Sequence, residues 1–137
     1  MKKRLVLGSL LTIAAFSLQP APLAAAAESP FDGVYQGSLD LSPSGLSQLY
    51  EHRSKCVERR AAAMTIRNGY VYIEYANWKG HKMHYRGSVD AAGAVTTYHT
   101  NSDGTKAQLT GQISNNALSG NMMREGCAYT VKLNRAT

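Results

Sequence analysis

Apolar and polar residues alternate with a period of two along most of the chain after Phe31, as in strands with one buried face. The alternation is clearest around Asn68-Gly69. Asn-Gly favours a two-residue hairpin turn, because both turn residues need positive φ. Such a turn pairs the two apolar sets on one face. The predicted pairs are Arg67 with Tyr70, Ile66 with Val71, Met64 with Ile73, and Ala62 with Tyr75.

Further alternating segments predict more strands. The predicted inner faces carry Tyr35, Leu39 and Leu41; Met83, Tyr85, Gly87 and Val89; Ala107, Leu109, Gly111 and Ile113; Leu118, Gly120 and Met122; and Cys127, Tyr129, Val131 and Leu133. A loop at 91–93 predicts the pairs Val89–Val95, Gly87–Thr97 and Tyr85–His99. Inward glycines permit sharp bending. We expect an all-β antiparallel meander of about seven or eight strands, curved or closed into a small barrel.

The segment from Ser42 to Arg60 interrupts the alternation, and both a short helix and an ordered loop fit it. It is also locally basic. Arg53, Lys55, Arg59 and Arg60 surround Cys56, with two glutamates offsetting part of the charge. This basic cluster is a candidate surface for an anionic partner, although such runs are more often solvated loops.

The N-terminus has the organisation of a secretory signal. Lys2, Lys3 and Arg4 precede an uncharged apolar stretch at 5–18, and small residues at 24–27 fit a cleavage site. We predict a cleavable signal at 1–27 and a single domain at 28–137; an uncleaved anchor is the alternative. No later apolar run is long enough to span a membrane. The expected location is periplasmic or secreted.

Export and removal of the signal change the net charge of the chain and the redox environment of its cysteines. The three basic residues leave with the signal, so the net charge of +6 falls to about +3. That residual charge does not indicate a nucleic-acid partner. Export also places Cys56 and Cys127 in an oxidising compartment, which favours a disulfide between them.

Two groups of side chains are candidate sites. Tyr70, Tyr72 and Arg67 lie on the outer face of the predicted hairpin, a combination typical of interfaces and sugar-stacking platforms but also of ordinary cross-strand pairing. His81, Met83 and His84 carry donors that suit copper. Strand alternation turns His84 away from the other two, so they are weak metal candidates that need help from His99, Met122 or Met123.

Several short sequences resemble one group of proteins. They are Phe-Asp-Gly-Val-Tyr-Gln-Gly at 31–37, Met-Thr-Ile-Arg-Asn-Gly-Tyr-Val at 64–71, Gly-Ser-Val-Asp-Ala-Ala-Gly at 87–93, Leu-Thr-Gly-Gln-Ile at 109–113 and Cys-Ala-Tyr-Thr-Val-Lys-Leu-Asn-Arg at 127–135. Their order after a signal resembles small exported proteobacterial β-proteins of uncharacterised function. The resemblance supplies no catalytic or binding residues, and the longer basic segment at 42–60 departs from it.

The chain contains no Gly-x-Ser-x-Gly elbow, phosphate-binding glycine loop or dinucleotide fingerprint. We therefore expect no cofactor and no enzymatic activity. The leading hypothesis is a non-catalytic binding module for an envelope protein or polysaccharide. The alternative is a periplasmic carrier of a small ligand or of copper.

Overall fold

A computed structural model describes residues 28–42, 56–124 and 126–137. The chain forms eight antiparallel strands: β1 (Gly33–Leu41), β2 (Arg59–Arg67), β3 (Tyr70–Ala76), β4 (Lys82–Val89), β5 (Ala94–Thr100), β6 (Lys106–Ser114), β7 (Ala117–Arg124) and β8 (Cys127–Arg135). Each strand pairs with the next, and β8 pairs with β1 to close a barrel. The predicted all-β meander is confirmed, and of the two expected forms, curved or closed, the structure has the closed one. The predicted signal and the segment 43–55, where helix and loop were both open, lie outside the described residues.

The β2–β3 hairpin has the predicted register. Asn68 and Gly69 adopt φ values of 53° and 79°, as a two-residue turn of this type requires. All four predicted pairs occur: Arg67 with Tyr70, Ile66 with Val71, Met64 with Ile73, and Ala62 with Tyr75. Turn chemistry and apolar alternation therefore specify the same pairing.

The barrel interior is filled by side chains from alternate positions of all eight strands, as in other small barrels. The largest fully buried ones are Tyr35, Tyr85, Leu39, Met64, Ile73, Leu109, Leu118 and Leu133. The intervening residues face outward. The predicted inner faces thus form one continuous core.

Two glycines on bent strands allow close contact between backbones. A Cβ added to Gly87 would lie 1.9 Å from the carbonyl oxygen of Thr96, and one added to Gly37 would lie 2.0 Å from that of Lys132. No larger residue fits at either position without backbone movement. The glycines therefore permit the strong curvature that closes the barrel.

One end of the barrel, which we call the closed end, is covered by the residues that precede β1. Phe31 packs against the core, and the Tyr35 hydroxyl donates to its carbonyl oxygen at 2.8 Å. The Asp32 carboxylate accepts the backbone N–H groups of Asn68 at 2.8 Å and Gly69 at 3.3 Å. Arg135 donates to the carbonyl oxygens of Pro30 and Asp32 and to the Asn116 side chain. These bonds join the two chain ends of the domain to two hairpin turns.

The opposite end, which we call the open end, is widened by the β5–β6 hairpin. Pairing of β4 with β5 stops at Arg86 and Tyr98, and pairing of β6 with β7 begins at Leu109. The tip of the hairpin therefore diverges from both neighbouring strands. The predicted pairs Val89–Val95 and Gly87–Thr97 are observed, but Tyr85 and His99 are not paired in the sheet. Instead, His99 Nδ1 lies 2.9 Å from the carbonyl oxygen of His84.

The predicted disulfide between Cys56 and Cys127 is present at the open end, with the two Cα atoms 5.6 Å apart. Cys127 is buried at the start of β8, where it pairs with Arg124 of β7. The bond thus attaches the chain that leads into β2 to the β7–β8 hairpin.

In the parts of the chain that the structure describes, no helix has the length and apolar character needed to cross a membrane.

Candidate functional site

A row of outward side chains crosses five adjacent strands. In register order it contains Thr65, Tyr72, Arg86, Tyr98 and Gln108. Tyr70 and Arg67 form the next outward pair, two residues from Tyr72 on β3 and two residues from Thr65 on β2. We call Arg67, Tyr70, Tyr72, Arg86 and Tyr98 the tyrosine–arginine face. The three predicted residues of this face lie together, and the structure adds Arg86 and Tyr98.

The arginine at the centre of the face lies between two aromatic side chains. The Arg86 guanidinium is 5.6 Å from the centre of the Tyr72 ring, and Arg86 pairs with Tyr98 on its other side. Lys106 lies 5.7 Å from the Tyr98 ring. Tyr70 is 78% exposed and Tyr98 is 43% exposed. The face therefore offers accessible aromatic surface next to positive charge.

Polar contacts hold Tyr72 in position. Its ring stacks on that of His84 with 5.3 Å between centroids, and its hydroxyl bonds to His84 Nδ1 and, at 3.3 Å, to Glu74. Glu74 also pairs with Lys82 at 3.2 Å. The Lys82 hydrogen bond is the main reason that the pKa of Glu74 is lowered. Lys82 therefore balances the negative charge of Glu74. Among the described residues, no carboxylate forms an ion pair with Arg67 or Arg86.

Only part of the predicted basic cluster near Cys56 can be placed. Arg59 forms an ion pair with Asp40 at 2.7 Å, and this bond is the main cause of the lowered pKa of Asp40. Arg60 donates to the carbonyl oxygen of Ala76 at 2.5 Å. Both arginines therefore have partners within the domain. Arg53 and Lys55 lie outside the described residues, so a four-residue basic surface stays a prediction.

The open end contains a cavity of about 680 Å³ between the β3–β4 loop and the tip of the β5–β6 hairpin. Its lining includes His81, Met83, His99, Lys106, Met123 and Arg124. His84 is on the outer face beside Tyr72, as the predicted alternation requires. His81 and Met83 thus share a cavity with two of the helper residues considered above. Among the described residues, no three His, Cys, Asp or Glu side chains group as metal ligands.

A buried polar cluster lies beside this cavity. The hydroxyls of Tyr75 and Tyr85 and Nη1 of Arg124 are buried and form no well-aligned hydrogen bond among the described residues, although the three groups lie close enough to interact with one another. The Tyr75 and Tyr85 rings are 5.9 Å apart. Burial raises the pKa of Tyr75 far above its ordinary value, and the neighbouring Tyr85 adds to the shift, so this phenol stays protonated.

Such unpartnered groups are costly. A buried polar group without a partner costs about 1–3 kcal/mol. Sequence alternation placed Tyr75 and Tyr85 in the core but did not show that their hydroxyls meet Arg124. The only available signal was that a buried tyrosine usually needs a hydrogen-bond partner.

The chain matches no protein-family model, no curated protein and no solved structure in the three comparisons. Function is therefore inferred from the geometry of this chain.

Proposed function

We propose that this chain is an exported, non-catalytic binding domain whose tyrosine–arginine face binds an acidic polysaccharide of the cell envelope. The observation that carries the proposal is the cross-strand order Tyr72, Arg86, Tyr98, in which a cation lies between two aromatic side chains. The signal-like N-terminus supports export, and the disulfide suits an oxidising compartment.

The spacing of this row suits a sugar chain. Adjacent strands lie about 4.8 Å apart, so Tyr72 and Tyr98 are separated by roughly 10 Å across β4. Two rings at that separation can contact sugar rings that are not direct neighbours. Arg86 between them can meet a carboxylate on the sugar in the middle, and guanidinium groups bind carboxylates with two parallel hydrogen bonds.

A polysaccharide fits this face better than a protein partner does. Stable protein interfaces usually have an apolar centre that excludes water. Here the exposed aromatic residues alternate with cations and polar side chains. Of the other large exposed apolar residues, Val34 pairs with Thr65 at one end of the row, Trp78 lies in the β3–β4 loop and Met123 lies on β7. Sugar stacking needs only single aromatic faces with polar neighbours.

The described carboxylates support a non-catalytic role, because most already have structural partners. Asp32 accepts backbone N–H groups of a hairpin turn, and Asp40 pairs with Arg59. Asp90 and Asp103 each accept a backbone N–H group within their own loops. Glu74 pairs with Lys82. None of these five is left as a general acid or base beside a nucleophile.

The proposal is tested by isothermal titration of residues 28–137 with alginate oligomers, with dextran as an uncharged comparison. Alginate should bind and dextran should bind much more weakly. Tyr98→Ala should weaken alginate binding about five- to tenfold, because one aromatic contact contributes about 1 kcal/mol. Arg86→Gln should weaken it by a similar factor or more.

Lys132→Gln is the matched control. Lys132 is an exposed cation on β8, which lies four strands away from β4 and Arg86 in either direction around the barrel. It should leave the affinity unchanged. Absence of saturable alginate binding, or equal affinities for Tyr98→Ala and the unaltered chain, would refute the polysaccharide proposal. An envelope protein retained by the unaltered domain but not by Arg86→Gln, with no alginate binding, would show that the face binds protein instead.

A further inference from the structure

We infer that the open end of the barrel is a binding site for a small organic carboxylate, with Arg124 and Tyr75 as the groups that receive its charge and Tyr85 buried beside them. This inference is independent of the proposed function, because it concerns the barrel end and not the outer face. It begins from three buried polar atoms, the two phenol oxygens and Nη1 of Arg124, that form no well-aligned hydrogen bond among the described residues.

These groups have an excess of hydrogen-bond donors. Arg124 has only N–H donors, and each phenol offers one O–H. Tyr85 is fully buried and Tyr75 is 4% exposed, so bulk solvent has little access to their hydroxyl groups. Even if one phenol oxygen accepts from the guanidinium, donors remain without acceptors. A ligand with negatively charged oxygens is the chemical complement of this set.

Arg124 connects the buried cluster to the exterior. It lines the open-end cavity of about 680 Å³ and also a small cavity of about 10 Å³ that it shares with Tyr75. The small cavity has room for about one water-sized group, such as one carboxylate oxygen. The large cavity gives access and space for the rest of the ligand.

The charge of the open end also favours an anion. Lys106 lines the large cavity together with Arg124. Asp103 is the one described carboxylate on this lining, and its oxygen already accepts both the N–H and the hydroxyl of Thr105. Among the described lining residues, Arg124 and Lys106 thus supply two positive charges against the single negative charge of Asp103.

The shape and walls of the cavity favour a carboxylate with a small apolar body over an inorganic anion. Met83, Ala107 and Met123 provide apolar wall on the same lining. A planar carboxylate has two oxygens that match the fork of a guanidinium. Each oxygen can accept a second hydrogen bond, so one of them can also accept from a phenol. The divergence of the β5–β6 hairpin from β4 and β7 opens the path to the site.

The test is a titration of residues 28–137, disulfide intact, with sodium benzoate, followed by calorimetry and by amide NMR shifts. Benzamide is the uncharged comparison, and chloride and phosphate at equal ionic strength represent inorganic anions. Benzoate should give saturable shifts at 75–85 and 122–127, while benzamide should not. Arg124→Gln should weaken benzoate binding by about tenfold or more, the usual effect of losing a charge-assisted hydrogen bond.

The Tyr75→Phe variant distinguishes a role in binding from a role in stability. It removes one unpartnered hydroxyl, so the free domain should unfold at an equal or higher urea concentration. Benzoate should nevertheless bind about three- to tenfold more weakly, because one donor is lost. If the hydroxyl had only a structural role, its removal would not weaken benzoate binding while leaving the stability of the free domain equal or higher. Lys132→Gln, a distant exposed cation, should change neither property.

Three results would overturn the inference: no saturable benzoate binding to the unaltered domain, equal affinities for benzoate and benzamide, or phosphate or chloride binding that displaces benzoate completely at equal concentration. If Arg124→Gln does not fold, Tyr75→Phe and Lys106→Gln still decide the question. Unchanged benzoate affinity in both of those variants would equally contradict the inference.

Discussion

Removal of the Cys56–Cys127 bond should greatly reduce the stability of the domain. The two cysteines are 71 residues apart in the chain, so the bond closes a long loop in the unfolded state. In the chain-entropy description, closing a loop of this length contributes about 4 kcal/mol at 25 °C. Domains of this size have a free energy of unfolding of about 5–15 kcal/mol. The bond therefore accounts for a large share of the total.

The measurement is urea unfolding of residues 28–137, monitored by circular dichroism with and without a phosphine reductant. We expect reduction to lower the free energy of unfolding by about 4 kcal/mol. For a urea dependence of about 2 kcal/mol per molar, the midpoint moves by about 2 M. The slope should also increase, because the reduced unfolded chain is more expanded and exposes more surface.

The double variant Cys56→Ala/Cys127→Ala is the control. It should resemble the reduced protein, with a small further loss because the Cys127 side chain is buried. The reductant should have no effect on this variant. A loss of less than about 1 kcal/mol on reduction would refute the loop-closure reasoning, which assigns the bond a value near 4 kcal/mol.

Further predictions concern backbone packing, the closed end and the outer face. Gly87→Ala should lower the free energy of unfolding by about 3 kcal/mol, because its Cβ would lie 1.9 Å from the Thr96 carbonyl oxygen. Gly104→Ala, with nothing within 4 Å but a φ of +85°, should cost only about 1 kcal/mol in the same urea assay; equal losses would contradict the packing argument. Desolvation alone would raise the pKa of Asp32, but the N–H groups of Asn68 and Gly69 outweigh it and lower that pKa. The stabilisation by Asp32 should thus be complete above its unfolded pKa of about 3.9 and disappear as pH falls through the lower folded value. Urea midpoints of Asp32→Asn and the unaltered chain should therefore converge at low pH, and a constant difference would be inconsistent with this linkage. Alginate affinity should fall as salt is raised, because screening shortens from about 10 Å at 0.1 M to about 3 Å at 1 M; calorimetric affinity that does not change with salt would exclude the arginine contribution.

Local sequence signals predicted most of the fold. Asn68-Gly69 and the alternation on both sides of it specify the same register, so the β2–β3 hairpin was predictable pair by pair. Inward glycines such as Gly87 indicated a strongly curved sheet, and the structure shows the closed barrel. Each of these features depends on residues that are near one another in the chain or share one strand face.

The features that the sequence did not predict depend on contacts between distant segments. Nothing local shows that Arg135 bonds to the backbone before β1, or that β5 leaves β4 after Tyr98. The meeting of Tyr75, Tyr85 and Arg124 likewise follows from barrel closure. Arg86 and Tyr98 could have been found, because the predicted pairing of Gly87 with Thr97 places them opposite each other on the outer face.

We propose that the tyrosine–arginine face is the polysaccharide-binding surface of this domain. The most direct test of this proposal is amide NMR mapping of alginate oligomers titrated into isotopically labelled residues 28–137. We expect saturable shifts at Tyr70, Tyr72, Arg86 and Tyr98, with the amides of β7 and β8 unchanged. Shifts confined to the open end or to β7 and β8, or no shifts at all, would contradict it.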